Sequence, residues 1–236
     1  MSGRLHLVGG GWGGTAEPWG AFLADARAAG GRDRPRIGVL AVRDGDEAEH
    51  AEKLVAALEV AGPVDPRIAT ARHGGELDGS VLDDVDGVLV GGGLTPAYLE
   101  AVLPLGERIR TLVDAGRPYA GFSAGSAIAA RHALLGGWRH EGVPVVDEET
   151  GEDVVELLVR DGLGLTGLTI DVHAAQWGTL ARLITAVGAG LVPDGAAIDE
   201  DTALVLGGSA TVAGTGNVWW VSSGDGAVAV RREPAA

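Results

Sequence analysis

The stretch YAGFSAGSA, residues 119–127, places a serine between two glycines at the point where a short apolar run gives way to small residues. The spacing Gly121-x-Ser123-x-Gly125 is typical of a strand that turns sharply into a helix and presents its serine at the carboxyl edge of a sheet. Glycine at both positions removes the side chains that would clash in such a turn. The five residues alone fit a nucleophile and a structural, helix-capping serine equally well. The rest of the chain must distinguish the two.

Short apolar runs alternate with longer segments of helical period on both sides of this stretch. Residues 16–30 and 46–62 carry apolar residues at three- and four-residue spacing and end in glycine, and another helix begins at Thr95. The alternation predicts an α/β fold, a layered sandwich with a mostly parallel sheet and helices on both faces. The last forty residues are typical of antiparallel hairpins at the sheet's edge. Predicted strands of the sheet cover residues 5–9, 36–42, 66–70, 86–93 and 119–123.

The pattern weakens in an acid-rich segment at residues 139–161, for which we predict a loop with an irregular strand or a short helix. A further strand is predicted at residues 168–173 and a helix at residues 177–190.

Length and composition indicate one domain over residues 1–236, because 46% hydrophobic residues suffice for one large core. The absence of cysteine excludes disulfides, thiolate-bound metal and a cysteine nucleophile, and favours a cytoplasmic location. No segment has the length of apolar residues that a signal peptide or a membrane span requires, so no membrane association is expected. The formal net charge of −15 disfavours nucleic acid as a partner.

A second glycine pattern, Gly9-x-Gly11-x-x-Gly14, follows the first predicted strand at the spacing of a dinucleotide-binding turn. A chain with 40 glycines produces this spacing by chance, and Trp12 would crowd the phosphates. The acid that would bind a ribose comes late, at Asp44. We therefore favour a plain glycine-rich turn, and no cofactor is expected.

A nucleophilic serine needs a general base, and the chain has six histidines. His173 ends the predicted strand at residues 168–173, at the edge where Ser123 is expected, and His140 in the acid-rich segment is the alternative. The remaining four are expected in surface or packing roles: His6 and His50, in a strand and a helix remote from that edge, His73 in an exposed loop, and His132 late on the helix after Ser123.

Several motifs, taken in order, resemble the dipeptidase E and cyanophycinase family of serine peptidases. They are VGGG at residues 90–93, YAGFSAGSA, GLGL followed by IDVH at 170–173, RL, and IDEDTAL at 198–204. The resemblance extends over residues 5–205. It implies the class I glutamine amidotransferase-like fold, a flavodoxin-like sandwich in which serine takes the place of the amidotransferases' cysteine.

The resemblance also implies roles for individual residues. Ser123 would be the nucleophile, His173 the general base, and Glu200 the acid that orients the base. Backbone groups would form the oxyanion hole at Gly92, Gly93 and Ala124. No metal takes part in this mechanism.

Other acidic residues are alternatives for the third member of the triad. Glu152 and Glu141 lie in the acid-rich segment, and Asp199 and Asp201 flank Glu200. For these four, solvated surface charge is the favoured interpretation.

Substrate contacts are expected at positions that depart from the family pattern. Leu94 and Thr95 follow the glycines where the family carries Asn or Asp and then Gln or Thr, and near Asp171 only Arg182 remains of the family's arginines. These changes remove polar groups that could hold an acidic substrate. Arg131 and Arg139 are the arginines considered as compensation.

Together these features predict a serine peptidase that hydrolyses a small peptide or isopeptide through an acyl-enzyme, as an exopeptidase or dipeptidase. A serine esterase of the α/β-hydrolase kind is disfavoured, because its histidine follows its acid in the chain. A third hypothesis is a non-catalytic protein that binds a ligand or partner on the same fold. Trp177, Trp219 and Trp220 would then form an apolar contact surface, although the paired tryptophans of a terminal strand more often pack in the core or in a homodimer.

Overall fold

A seven-stranded sheet forms the centre of the computed structural model, which describes residues 2–236. The helices are α1 (Glu17–Gly30), α2 (Glu47–Ala61), α3 (Thr95–Val102), α4 (Gly106–Asp114), α5 (Ala124–Ala127) and α6 (Leu180–Gly188). The first nine strands are β1 (Leu5–Val8), β2 (Arg36–Arg43), β3 (Asp65–Arg72), β4 (Gly87–Val90), β5 (Tyr119–Phe122), β6 (His132–Leu134), β7 (Arg139–His140), β8 (Val143–Pro144) and β9 (Val159–Asp161). The last six are β10 (Thr169–Val172), β11 (Asp194–Ile198), β12 (Thr202–Leu206), β13 (Thr211–Gly214), β14 (Asn217–Gly224) and β15 (Ala227–Pro234).

The central sheet has the strand order β13-β12-β1-β5-β4-β2-β3. The five strands from β1 to β3 in this order are parallel, whereas β12 and β13 continue the sheet antiparallel beyond β1. The predicted α/β class, with a mostly parallel sheet and antiparallel strands near the carboxyl terminus, is confirmed.

Apolar side chains of the parallel strands alternate between two cores. In β2, Val39 packs with Phe22 and Leu54, which come from α1 and α2, while Leu40 packs on the other face with Tyr98 of α3. Because helices cover both faces, these strands are apolar at consecutive positions.

A second sheet with the order β10-β11-β14-β15 was not predicted. The hairpins expected at one sheet edge are divided between two sheets, since β12 and β13 extend the central sheet while β14 and β15 pair beside β11. Helix α6 packs on this second sheet around Leu183. Its strands β10 and β11 are parallel, so their carboxyl ends lie side by side.

One local expectation about secondary structure was wrong. The helix after Ser123 ends at Ala127, and His132 instead begins β6, which pairs with β9. The acid-rich segment contains β7, β8, β9 and a short 3-10 helix at Glu148–Thr150, and α4 was not predicted. Within residues 2–236, no helix has the length and apolar character needed to cross a membrane.

Candidate active site

Ser123 occupies a sharp turn between β5 and α5. Its φ of 52° and ψ of −112° lie outside the regions that residues with side chains ordinarily adopt. Its N–H donates to the carbonyl of Val8 at 2.9 Å, which ties the turn to the neighbouring strand β1. Backbone strain of this kind is found at functional positions that the surrounding structure holds in place.

Both glycines of the motif are required by close backbone contacts. A Cβ atom at Gly121 would lie 2.5 Å from the N of Ser126, and one at Gly125 would lie 2.2 Å from the carbonyl oxygen of Val90. The buried hydroxyl of Ser126 lies within hydrogen-bond distance of the carbonyl of Gly121, at 2.7 Å, which fastens the start of α5 to β5. Side chains at either glycine would displace the serine turn.

Three side chains form a continuous hydrogen-bonded series. The hydroxyl Oγ of Ser123 lies 2.8 Å from Nε2 of His173, and Nδ1 of His173 lies 2.7 Å from Oε1 of Glu200. A carboxylate only accepts hydrogen bonds, so Nδ1 of His173 carries the hydrogen and donates it to Glu200. The other ring nitrogen is then unprotonated and accepts from the serine hydroxyl.

The imidazole of His173 is held on several sides. The residue follows β10 with a φ of 57°, and its N–H donates to the carbonyl of Gly9 at 3.0 Å. A Cβ at Gly10 would lie 2.2 Å from Cε1 of the ring, so only glycine fits there. The indole of Trp177 stacks on the imidazole with ring centroids 3.8 Å apart. These contacts fix the ring plane between the serine and the glutamate.

Burial lowers the pKa of His173 below its ordinary value of 6.5, and the hydrogen bond to Glu200 opposes this shift without cancelling it. The imidazole is therefore neutral at pH 7. A neutral imidazole whose Nε2 accepts from a hydroxyl is the form required of a general base.

The acids beside Glu200 have separate structural roles. Asp199 is only 2% exposed and accepts hydrogen bonds from the backbone N–H of Asn217 and the indole of Trp219, so the expectation of a solvated charge was wrong for this residue. Asp201 accepts from the N–H of Gly13 at 2.8 Å. Of the three consecutive acids, Glu200 is the one that hydrogen-bonds to His173.

Within residues 2–236, neither alternative acid of the acid-rich segment hydrogen-bonds to His173. Glu152 is half-buried on the cavity wall and accepts from the N–H of Thr95, the first residue of α3, at 2.9 Å, so the expectation of a solvated charge was wrong for this residue too. Burial raises the pKa of its carboxyl. Glu141 is exposed, and within residues 2–236 neither it nor His140 is among the residues that line the cavity at Ser123.

Unused backbone donors lie beside the serine. A Cβ at Gly92 would lie 2.7 Å from Cβ of Ser123, so this glycine is in direct contact with the serine. In the described part of the chain, the N–H groups of Gly92, Gly93 and Ala124 have no hydrogen-bond acceptor. These are the backbone groups to which the resemblance assigns the oxyanion hole.

A cavity of about 820 Å³ opens over the three hydrogen-bonded side chains. The acid-rich segment forms one wall and the start of α2 another. Outside the acid-rich segment, the wall residues that the sequence did not indicate include Trp12, Arg43, Asp46, Glu49, His50, Lys53 and Trp138. His50 was expected to be remote from the serine, and this was wrong, because the first turn of α2 returns to the same sheet edge.

The four expected substrate-contact residues separate into two groups. Leu94 lines the cavity, and Thr95 is buried beside it. Asp171 and Arg182 are buried and bind each other through two hydrogen bonds, of 2.9 and 2.6 Å. Arg182 also donates to the carbonyl of Thr150 at 2.8 Å, so this buried ion pair holds the backbone of the acid-rich segment in place.

The glycine-rich turn after β1 packs against His173 and Asp201. Gly10 packs against the imidazole of His173, and the N–H of Gly13 already binds the carboxylate of Asp201. In residues 2–236, no group of three or more His, Asp or Glu side chains is arranged to hold a metal ion.

Comparisons with known proteins identify the fold and the family of the chain. No curated protein sequence matches the chain. The fold is similar to the crystal structure of a peptidase from an acI-B1 Actinobacterium, with 18% identity, a TM-score of 0.63, and coverage of 100% of this chain and 96% of that one. It is also similar to a putative peptidase E protein from Listeria monocytogenes EGD-e, with 13% identity, a TM-score of 0.56, and coverage of 90% and 98%. The model of peptidase family S51 matches residues 45–211, and the chain therefore belongs to this family, the dipeptidase E family of serine peptidases.

Proposed function

We propose that the protein hydrolyses short peptides through an acyl-enzyme formed on Ser123. The observation that carries the proposal is the unbroken series from Oγ of Ser123 through His173 to Glu200, with contacts of 2.8 and 2.7 Å, at the floor of a cavity. A serine within hydrogen-bond distance of an oriented neutral imidazole is the arrangement of an activated nucleophile.

The first half of the reaction forms the acyl-enzyme. Oγ of Ser123 attacks the carbonyl carbon of the scissile bond while its proton passes to Nε2 of His173. Glu200 stabilises the imidazolium, and the unused N–H groups at Gly92 and Ala124 bind the oxyanion. The tetrahedral intermediate collapses as His173 donates the proton to the leaving amine, which departs.

The second half restores the enzyme. A water molecule gives a proton to Nε2 of His173 and attacks the ester carbonyl of the acyl-enzyme. Collapse of the second intermediate returns the proton to Oγ of Ser123 and releases the acid product. All proton transfers use one imidazole, and no step in this scheme calls on a cofactor.

The walls favour a short substrate. A volume of about 820 Å³ falls within the range of small-molecule sites, roughly 300 to 1,000 Å³. The acid-rich segment is tied down at Thr150 and Glu152, which bond to Arg182 and Thr95. A cavity closed on this side admits the end of a peptide more readily than an extended chain, which supports exopeptidase or dipeptidase action.

The two alternatives have less support. In chain order the serine, histidine and acid are residues 123, 173 and 200, whereas an α/β-hydrolase places its histidine last. A non-catalytic binding role would not require the strained serine turn or the buried imidazole. The indoles of Trp219 and Trp220 donate to Asp199 and Glu233 within the chain, so their polar groups are already engaged.

A covalent probe tests the proposal directly. Purified protein is treated with a fluorophosphonate, and the adduct is measured by intact-mass spectrometry. We expect one adduct on the parent and none on Ser123→Ala or on the matched variant His173→Gln. Ser126→Ala, which removes a neighbouring buried hydroxyl, should still be labelled. A parent protein that stays unlabelled and cleaves no peptide in a panel of dipeptides and β-aspartyl dipeptides would contradict the proposal.

A further inference from the structure

Arg43 lies at the carboxyl end of β2, on the edge of the sheet that carries the catalytic groups. Strand β2 pairs in parallel with β4, and the N–H of Gly91 donates to the carbonyl of Leu40, so the end of β2 lies beside the glycine turn at residues 91–93. Among the residues of the described chain that line the catalytic cavity, Arg43 is the only arginine. The sequence pattern did not single it out.

The guanidinium of Arg43 is held in place on one edge and free on the other. Its Nε and Nη2 each bind the carboxylate of Asp46 at 3.1 Å. Nη1 has no acceptor within residues 2–236, and it lies 3.2 Å from the position that a Cβ of Gly93 would take. A side chain at residue 93 would press on the guanidinium, so glycine there leaves room for it beside the oxyanion turn.

A guanidinium with free N–H groups is well suited to binding an oxygen anion. Arginine stays protonated in proteins and pairs with carboxylates through short charge-assisted hydrogen bonds. The Arg43 side chain is 36% exposed, so a ligand can reach it from the cavity. Fixing one edge by Asp46 reduces the rotamer freedom that would otherwise be lost when a ligand binds.

Neighbouring groups do not provide the same contact. The only other constitutive cation lining the cavity within the described residues is Lys53, and its Nζ lies 4.1 Å from the ring centroid of Trp12. Arg139, considered from the sequence as a compensating charge, lies against the ring of Trp138. The acid-rich segment lines the cavity with carboxylates at Glu148, Glu149 and Asp153, which would repel an anion. Further carboxylates line the cavity at Asp46, Glu49 and Glu152, so an anion is expected to bind only where it reaches the guanidinium directly.

We propose that Arg43 is a specificity-determining residue that binds a carboxylate of the substrate peptide beside the oxyanion turn. The inference rests on the proposed function only in taking this cavity as the substrate site. Two sources of the carboxylate share the same chemistry, the α-carboxylate of a short peptide and an acidic side chain next to the scissile bond. Binding there would place the anion by Arg43 and leave a free amino terminus for the acidic wall.

Binding to an inactive protein tests the inference without turnover. Ser123→Ala is titrated calorimetrically with two matched pairs of peptides, Ala-Leu against Ala-Leu amide, and Asp-Ala amide against Asn-Ala amide. In the pair that contains the recognised carboxylate, we expect the acid to bind roughly ten- to a hundredfold tighter than its amide partner. The first pair reports an α-carboxylate and the second an acidic side chain.

The variants assign the effect to Arg43. Adding Arg43→Gln to the Ser123→Ala protein should abolish its preference for the acid peptide over the amide. Adding Lys53→Gln, which removes another charge from the cavity, should preserve that preference. Should the glutamine variant not fold, Arg43→Lys replaces it and is expected to lose several-fold in discrimination, because a lysine ammonium does not reproduce the guanidinium fork.

In the Ser123→Ala protein, equal affinity within both pairs, or no binding of any peptide, would overturn the inference. A preference for the acid that survives Arg43→Gln, or that Arg43→Lys retains in full, would also overturn it. So would a variant of Arg43 that loses the same affinity for the acid as for the amide. An equal loss would indicate a structural role for Arg43 in the glycine turn. Fluorophosphonate labelling of the parent is a separate measurement, so failure of the proposed function remains distinguishable.

Discussion

Oε1 of Glu200 accepts a hydrogen bond from Nδ1 of His173 at 2.7 Å, although 26 residues separate the two in the chain. The contact arises because the two residues follow β10 and β11, which are adjacent parallel strands of the second sheet. Ser123 instead follows β5 of the central sheet. The proposed nucleophile and the proposed base and acid are therefore supplied by different sheets, and the hydrogen bond at 2.8 Å between Ser123 and His173 joins them.

Replacing Glu200 by glutamine should change both the rate and its pH dependence. We expect kcat/KM to fall by roughly a hundred- to ten-thousandfold, because a neutral amide stabilises the imidazolium poorly. Glu200 raises the pKa of His173, so its removal lowers that pKa. Since the neutral imidazole is the active form, activity rises with pH through this pKa, and the acid limb of the variant should lie at lower pH.

The pH profile of kcat/KM on a cleaved dipeptide measures both effects. Asp201→Asn is the matched control, because its carboxylate binds the N–H of Gly13 and not the imidazole, so its acid limb should match the parent's. An unchanged limb in Glu200→Gln would assign the orienting role to another group.

Strain at Ser123 should be measurable as stability. Ser123→Ala and Ser123→Gly both remove the hydroxyl, but only glycine relieves the cost of a φ of 52°. We expect the glycine variant to be more stable than the alanine variant by about 1 kcal/mol, since sparsely populated backbone conformations cost a residue with a side chain roughly 1–3 kcal/mol and glycine loses part of this gain in backbone entropy. Urea denaturation of the two variants makes the comparison, and equal midpoints would mean that the turn is not strained.

Local pattern predicted the strands that are buried on both faces, and it failed where distant pairing decides the structure. Residues 128–135 are rich in good helix formers, yet the chain leaves the helix after Ala127 because β6 pairs with β9 some 25 residues later. Helix α4 was not predicted because a 3-10 turn with a proline, at Leu103–Leu105, precedes it and interrupts the helical pattern. The apolar residues Ile109 and Val113 have helical spacing only after this turn.

The site residues that belong to short sequence motifs could be predicted, and the others could not. The residue pair Ser123 and His173 was placed from the serine motif and the end of a strand, and Glu200 from the family resemblance. Arg43 and His50 belong to no motif, and their place on the cavity wall depends on where the β2–α2 connection lies. Arg182 was expected to contact the substrate, because nothing local in the sequence shows that Asp171 pairs with it in the interior.

Breaking the buried pair between Asp171 and Arg182 should destabilise the protein strongly. Arg182→Leu leaves the Asp171 carboxylate without its partner in the interior, and we expect a loss of about 3–5 kcal/mol in the free energy of unfolding. The matched control is Arg67→Leu, whose partner Asp65 is exposed, and we expect its effect to stay within about 1 kcal/mol. Urea denaturation measures both, and losses of similar size would show that the pair is not isolated from solvent.

Gly92→Ala should damage catalysis more than the fold. The added methyl group would lie 2.7 Å from Cβ of Ser123 and 2.9 Å from the carbonyl oxygen of Phe122, so the glycine turn must move away from the serine. Loss of one oxyanion donor costs roughly a hundred- to a thousandfold in kcat, and we expect a decrease of that size.

Gly20→Ala is the control, because a Cβ there meets no atom within 4 Å and the residue lies within α1. That variant should keep parental activity and gain roughly 0.5–1 kcal/mol in stability. Steady-state kinetics on a cleaved dipeptide decide the matter, and full activity in Gly92→Ala would remove this turn from the oxyanion hole.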